Sequence, residues 1–228
     1  MAVTGSLGRW QLSRGAQKDR LQAELVARAR LPALDAAAVT AAHSTKQIGA
    51  ILQRTAVLHG EWIPDHSVYL ENRTMGDDSG FYLTTPLRLA QGDGVVLVVR
   101  GWAPRDPIDR TRLPPVQTPT GTVEITGRVM DHVPATFSLG RDGPTTIRQN
   151  IDLAAFRAET RLPLAPVVVE QTGAKSDGLL RQWPALDSGS ERNYGYAVQW
   201  FGMCALMGIL LVWFQIGKPY LLRRNRRE

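Results

Sequence analysis

The chain is poor in the side chains that form disulfides and hold metals. It contains a single cysteine, Cys204, so no disulfide can form within the chain and no cysteine-based metal site is available. The four histidines are scattered and form neither an HxH nor an HxxxH pair: His43, His59, His66 and His132. The sequence therefore does not favour a zinc site.

Motifs of catalysis are also missing. There is no GxSxG, no P-loop, no HExxH and no glycine-rich nucleotide fingerprint at a strand–helix junction. The adjacent carboxylates of Asp77 and Asp78 lie in the turn-forming stretch MGDDSG, where solvated loop acids are the ordinary interpretation. The sequence predicts that the protein is not an enzyme.

Outside the C-terminal tail the chain has little excess of either charge. The net charge is +6, but the tail 218–228 carries five Lys and Arg against one Glu, a net of +4, which leaves +2 for the other residues. In these other residues both signs are interspersed, without the basic stripe that binds phosphates. We expect no nucleic-acid partner.

An N-terminal secretion signal is absent. Residues 1–15, MAVTGSLGRWQLSRG, begin with small apolar residues and become basic at once, without the apolar core of a signal peptide. The pattern is typical of the last turn of a membrane helix whose body lies upstream, which would make Met1 an internal or engineered start. A single span inserted by its C-terminal end is the alternative.

One long uncharged stretch stands near the C-terminus. Residues 196–216 contain no charged side chain and no proline, and a helix of this length spans roughly 30 Å, the thickness of the hydrocarbon core. Aromatic residues flank it, and Lys218 and four arginines follow, which places the C-terminus in the cytoplasm by the positive-inside rule. We expect a transmembrane helix; a buried core helix is the alternative.

The residues before this stretch predict helices and short strands. Apolar residues at helical spacing predict an amphipathic helix over 6–30. The near-continuous apolar run at 95–102 predicts a central strand. Alternating and β-branched runs predict further strands, to a total of seven to nine. They lie at 51–63, 67–73, 81–89, 122–130, 145–153, 166–172 and 179–184, with a short helix at 153–160 and a polar tether at 188–193.

These elements predict a membrane-anchored α+β fold, with the main domain on the outer side of the membrane and the C-terminus in the cytoplasm. A compact β-rich domain, either a sheet or a partly open barrel, is bracketed by membrane helices, of which the first is truncated. Four segments are expected, in this order: the end of the first membrane helix with the amphipathic helix at 1–45, the periplasmic β-rich domain at 46–192, the transmembrane helix at 193–217 and the cytoplasmic basic tail at 218–228.

Two local features point to contacts. Arg100 ends the apolar strand and is followed by Gly101 and Trp102, so it can direct a cation at a partner's carboxylate; a structural ion pair beside a core Trp is the alternative. Where the tether enters lipid, Gln199 and its aromatic neighbours either anchor the helix or line a site. Gln199 is the sharper indication because an unpaired amide in lipid is costly.

Three motifs, in this order and spacing, resemble the Surfeit locus protein 1 family of cytochrome c oxidase assembly factors. They are LGRWQLSR at 7–14 with Lys18 following, TTPL at 84–87 with VVRGWAP at 98–104, and YAVQWF at 196–201. The resemblance covers about residues 6–216. It implies two membrane helices that bracket a domain in the periplasm or the mitochondrial intermembrane space.

The resemblance also implies a function and a set of contact residues. The family is thought to help haem a reach the catalytic subunit of the oxidase, without enzymatic activity of its own. The implied partners are this subunit, haem a synthase and the lipid bilayer. The candidate residues for contact with haem or a partner are Trp10, Arg14, Arg100, Tyr196, Gln199 and Trp200.

One position departs from the family pattern. Members often carry His just before the final Tyr-Ala pair, where this chain has Asn193. Imidazole is an ordinary axial ligand of haem and an amide is not. Either another histidine substitutes, or the protein acts by contact with the oxidase rather than by carrying haem a. A membrane-tethered periplasmic module that binds another protein and has no connection with haem is the alternative function.

Overall fold

The computed structural model describes residues 2–109, 112–136, 143, 145–174, 177–183 and 188–218. The chain divides into two compact units. One is formed by Met1–Leu25 together with Pro184–Glu228, and the other by Val26–Trp183. The first is called the helical unit below, and the second the barrel unit.

Seven strands of the barrel unit form one sheet in the order β1-β5-β7-β4-β3-β2-β6. Because β1 also pairs with β3, the five strands β1, β5, β7, β4 and β3 close into a barrel, and β2 and β6 extend it. The strands are β1 Thr55–Trp62, β2 Val68–Met75, β3 Asp78–Leu89, β4 Val95–Pro104, β5 Thr122–Met130, β6 Ile147–Arg148 and β7 Leu164–Gln171. The α+β class is confirmed, but the barrel is closed rather than partly open.

The closing contact depends on a glycine. Gly60 of β1 pairs with Leu89 of β3, and a Cβ at Gly60 would lie 2.1 Å from the carbonyl oxygen of Arg88. Real Cβ atoms do not approach backbone oxygens so closely, so a larger residue here would force the two strands apart. The patterns of single strands carry no sign of this pairing, since it joins residues about 30 positions apart.

The central strand β4 lies between β3 and β7, as its apolar run predicts. Its alternate residues enter two cores. Val96 and Val98 join an apolar cluster to which all five barrel strands contribute, whereas Val95, Leu97 and Val99 join a second cluster with β2 and the helix α4. Burial on both faces explains why the strand is apolar throughout.

Three short helices cover the barrel: α2 Ala36–Thr40, α3 Thr45–Ile51 and α4 Leu153–Thr160. Each begins at a polar cap. Asp35 and Asp152 accept hydrogen bonds from backbone amides in the first turns of α2 and α4, and Ser44 forms a capping box with Gln47. The bounds of α4 are those predicted. Residues 45–51 are helical, so the strand expected from 51 begins only at Thr55.

Two further strand predictions were too long. The run 145–153 contains only the two-residue strand β6, and 179–184 contributes one isolated bridge, between Leu180 and Trp102. Among the described residues of the first stretch, two pair with β2, and among those of the second, only Leu180 pairs with β4.

The helical unit contains α5 and all of α1 up to Leu25, and the last four residues of α1 belong to the barrel unit. The helix α1 runs over Ala2–Ala29, in agreement with the amphipathic helix predicted at 6–30. The helix α5 covers Ser190–Val212 and continues as a π-helical turn over Trp213–Gly217. The residues 190–193, predicted as part of a tether, are therefore the first turn of α5. Among the described residues one helix, Ser190–Gln215, is long and apolar enough to span a membrane. The tail beyond Lys218 lies outside the described residues.

We expect Gly60→Ala to destabilise the protein by about 2–3 kcal/mol, because the added methyl group collides with the β3 backbone. The matched control is Gly49→Ala in α3, where a Cβ would meet no atom within 4 Å. This change should stabilise the helix by up to about 1 kcal/mol. Denaturant unfolding of the full chain measures both; equal midpoints for Gly60→Ala and the unchanged protein would contradict the proposed role of Gly60.

Candidate functional site

Glycines bring α1 and α5 into close contact within the helical unit. A Cβ at Gly8 would lie 2.8 Å from the Phe201 ring, and one at Gly15 would lie 2.9 Å from the Tyr194 ring. Gly5 faces Cys204, with 3.9 Å between its Cβ position and Sγ. Since rising numbers on α1 meet falling numbers on α5, the two helices are antiparallel. Small residues at such positions allow helices in lipid to approach closely.

Asn193 lies in a polar network between the two helices. Its Oδ1 accepts a hydrogen bond of 2.8 Å from Nζ of Lys18, and its Nδ2 donates one of 2.7 Å to Oε1 of Gln11. Lys18 also donates to the carbonyl oxygen of Gly189 at 3.3 Å, just before the first turn of α5. The amide thus links α1 to α5, and both of its polar atoms are engaged.

A second set of polar contacts surrounds Asp19, one residue further along α1. Its carboxylate accepts hydrogen bonds from the Tyr194 hydroxyl at 2.6 Å and the Ser188 hydroxyl at 3.2 Å. Hydrogen bonds from Ser190 and Tyr194 hold the pKa of Asp19 below its ordinary value of 3.8. The group is therefore a carboxylate at neutral pH, and it fastens the start of α5 to α1.

Sequence reasoning named Lys18 and Asn193 but did not pair them, and it missed Gln11 and Asp19 as contact residues. The positions of the glycines could have indicated which face of α1 makes these contacts. Gly8 and Gly15 lie seven residues apart, two helical turns, and so mark one face of α1. Gln11, Lys18 and Asp19 lie beside that face. What the pattern does not contain is the partner helix, which is more than 170 residues away.

Five of the six predicted contact residues lie on the helical unit. Trp10 and Tyr196 are exposed over 54% and 53% of their surface, and Trp200 is partly buried. Arg14 is exposed and donates to Gln17 on its own helix at 3.3 Å. Gln199 is exposed, and its amide has no partner among the described residues. Aromatic and polar side chains are thus available on both helices, beside the residues of the polar network.

Arg100 belongs to the barrel unit and is fully buried. Its guanidinium donates to Asp177 at 2.8 Å, to Oγ1 of Thr118 at 2.7 Å and to the carbonyl oxygen of Gln117 at 2.9 Å. It also lies 4.7 Å from the centre of the Trp62 ring, a cation–π distance. This geometry is that of the structural alternative, an ion pair within the fold; a contact of Arg100 with haem or a partner stays a prediction.

The carboxylate of Asp177 accepts hydrogen bonds from two arginines. Its second oxygen accepts from Arg181 at 2.6 Å, while Nε of Arg181 donates to the carbonyl oxygen of Arg100 at 2.7 Å. Leu180 exchanges two backbone hydrogen bonds of 2.8 Å with Trp102, in the place along β4 beyond the end of its pairing with β7. The segment 177–183 is therefore attached to the barrel by the buried Asp177 carboxylate, by the backbone bridge of Leu180 and by side-chain hydrogen bonds of Arg181 and Trp183 to backbone carbonyl oxygens.

The described residues show no metal-binding cluster, and no histidine of the chain belongs to the helical unit. They contain no group of three or more His, Cys, Asp or Glu side chains that could hold a metal ion. The four histidines all belong to the barrel unit, and His59 and His132 pair with Glu124 and Asp131. In the helical unit Asn193 is engaged by its neighbours.

Comparisons with known proteins agree with the three motifs. A family model described as the SURF1 family matches residues 1–205. Two SURF1-like proteins are similar to part of the chain: one from Rickettsia conorii is 33% identical over 99 residues, and one from Rickettsia felis is 34% identical over 100. Each alignment covers 42% of this chain and 38% or 40% of the relative. The matched part is therefore about two fifths of the length of these relatives.

The helix pairing can be tested with the native cysteine. We expect Gly5→Cys to form a disulfide with Cys204 on mild oxidation, because the 3.9 Å between the Gly5 Cβ position and Sγ needs only a small adjustment to reach disulfide geometry. Peptide mapping without reductant detects the link. Gly202→Cys, whose Cβ would meet no atom within 4 Å, is the control and should keep both thiols free. Free thiols in the Gly5→Cys protein would rule out the antiparallel contact.

The buried carboxylate can be tested in the same full-length protein. We expect Asp177→Asn to lower the free energy of unfolding by about 3–5 kcal/mol, because two buried arginines lose their counter-charge. Asp77→Asn, an exposed turn acid, is the matched control and should change it by no more than about 0.5 kcal/mol. Urea unfolding followed by tryptophan fluorescence measures both, and equal effects would show that the ion pairs contribute nothing specific.

Proposed function

Because the chain belongs to the SURF1 family, an assembly-factor family tied to cytochrome oxidase rather than an enzyme family, we propose that it assists the insertion of haem a into the catalytic subunit of cytochrome c oxidase. The observation that carries the proposal is the family match over residues 1–205, which includes both helices of the helical unit up to the middle of α5. Proteins of this family are membrane-associated, in agreement with the one candidate membrane helix.

We place α5 across the cell inner membrane, with the barrel unit in the periplasm and the C-terminus in the cytoplasm. Gly5 lies beside Cys204, which is near the middle of the candidate span Ser190–Gln215. The first turns of α1 are therefore proposed to lie at bilayer depth beside α5. The polar network of Lys18 and Asn193 then falls at the outer boundary, where water can reach it.

At this boundary the exposed aromatic rings are proposed to receive haem a. Trp10, Tyr196 and Trp200 offer apolar faces for a macrocycle, and aromatic side chains of this kind are favoured where lipid meets water. Arg14 is exposed and bonded only to Gln17, so its guanidinium can exchange that partner for a propionate through charge-assisted hydrogen bonds. Gln199 supplies a further amide. The barrel residue Arg100 supports the fold in this proposal.

A second candidate function has one specific observation in its favour. Both polar atoms of Asn193 are occupied, and no histidine lies in the helical unit. A protein without an axial ligand can still act by contact with the oxidase catalytic subunit or with haem a synthase. In this version the helices hold a protein partner and no haem passes through them.

The test uses membranes of cells that lack this protein and express variants of it. We expect Trp200→Ala to lower assembled oxidase by about fivefold or more, since loss of a central aromatic contact commonly costs over 1 kcal/mol. Trp213→Ala, which removes an exposed ring in the π-helical turn that follows α5, is the matched control and should assemble oxidase normally. The readouts are the haem a band of a reduced-minus-oxidised spectrum and oxidase activity, with the membrane level of each variant.

Three outcomes separate the candidates. Loss of the haem a band with normal b- and c-type bands supports the proposal. Loss of activity with the full haem a band supports contact without haem transfer. Normal oxidase with Trp200→Ala, at an unchanged level in the membrane, contradicts a role of this residue in either function.

A further inference from the structure

A cavity on the barrel unit is lined by charged side chains that form no ion pair among the described residues. It has a volume of about 490 Å³, within the range of roughly 300–1,000 Å³ that is usual for ligand sites. It lies where the end of α2, the turn between β3 and β4, and the start of β7 meet. Its polar lining comes from Thr40, His43, Asp93 and Arg157, and its apolar lining mostly from residues 163–166.

Arg157 is held in a fixed orientation at this cavity. Its Nε and Nη2 both donate to the carbonyl oxygen of Leu164, at 3.1 and 2.7 Å. Leu164 is itself 5% exposed, so the acceptor is part of the barrel wall. No carboxylate of the described residues pairs with this guanidinium. Its Nη1 can therefore donate to a ligand. Because the fold already holds this side chain in place, little further side-chain entropy is lost when a ligand binds.

Asp93 and His43 bring the opposite charge and a titratable donor to the same cavity. Both are exposed, and neither side chain has a hydrogen bond or an ion pair among the described residues. Asp93 stands in the turn before β4, beside Gly94, and it does not pair with Arg157 although the two line one cavity. The hydroxyl of Thr40 donates to the carbonyl oxygens of Ala36 and Ala37, so it can only accept from a ligand.

Arg157 and Asp93 carry opposite charges and line the same cavity without pairing. A ligand that carries both a negative and a positive group would bind both of them. A carboxylate can bind Arg157 through charge-assisted hydrogen bonds, with His43 as a second donor. A cationic group on the same ligand can then bind Asp93. The prolines at 163 and 166 give the site a rigid apolar wall that loses little entropy on binding.

We propose that this cavity binds a short peptide segment of a partner protein in which an acidic side chain stands next to Lys or Arg. His43 and Asp93 are exposed, so the cavity is open to the edge of a large molecule rather than closed around a small one. The site lies within the barrel unit and does not depend on the haem or helix contacts proposed above. Its failure and that of the proposed function are therefore separate results.

The test is a binding titration of the full chain in lipid nanodiscs. The probe is the peptide acetyl-Gly-Glu-Lys-Gly-amide, followed by saturation-transfer NMR. We expect Asp93→Asn to weaken its binding about three- to fivefold, the range of an exposed ion pair, and Arg157→Gln to weaken it about tenfold. The probe with Gln in place of Lys should bind the Asp93→Asn variant and the unchanged protein equally. Asp65→Asn, an exposed acid outside the cavity, is the matched control.

Asp93 makes no contact in the fold, so Asp93→Asn keeps the test valid even if Arg157→Gln fails to fold. No saturable binding of the probe up to about 10 mM overturns the proposal, because a functional site for a segment would hold it more tightly. Equal affinity of the Asp93→Asn and Asp65→Asn proteins also overturns it. Free lysine or glutamate that binds as tightly as the peptide would replace the peptide segment by a small zwitterion as the ligand.

Discussion

The barrel depends on the pairing of β1 with two neighbours, β5 on one side and β3 on the other. Gly60 makes this possible, because a side chain at that position would collide with the backbone of β3. Closure pairs the edge of β1 with β3 and encloses the apolar cluster of the five strands. It also determines the surroundings of Arg100. In the middle of β4 this cation is fully buried, and a buried cation needs a counter-charge. Asp177 supplies it, and with Asp177 comes the segment 177–183, which is attached to the barrel through Arg181 and Leu180.

Pairing of polar groups also joins the two helices of the helical unit. The glycines of α1 bring its backbone against the rings of α5, and Gln11, Lys18 and Asp19 then find partners on α5. The aromatic residues that take no part in this contact remain exposed. In the proposed function this surface contacts haem a or a partner protein at the bilayer.

Several elements could be predicted from the sequence because their cause is local. The uncharged stretch of α5, the apolar run of β4 and the capped helix α4 each contain the pattern that forms them. The family, too, could be inferred from three short motifs, and the match over residues 1–205 confirms it. The predictions were wrong where contacts with a distant segment determine the local structure. Residues 179–184 have the composition of a strand, but the described part of the sheet offers them only one bridge. Residues 190–193 are polar enough for a tether, yet their contacts with α1 make them the first turn of a helix.

The sequence by itself determined what each segment prefers: which stretch is apolar enough for a bilayer, which runs alternate as strands, where helices begin, and that the only dense basic run lies at the C-terminus. These preferences arise from neighbours within a few residues, so the order of the letters contains them. Only the tertiary structure decided that the barrel closes at Gly60, that Arg100 is used within the fold, and that Asn193 is bonded to Lys18 and Gln11 rather than left free. Each of these depends on groups far apart in the chain, and the distance between such groups is set by packing rather than by sequence separation.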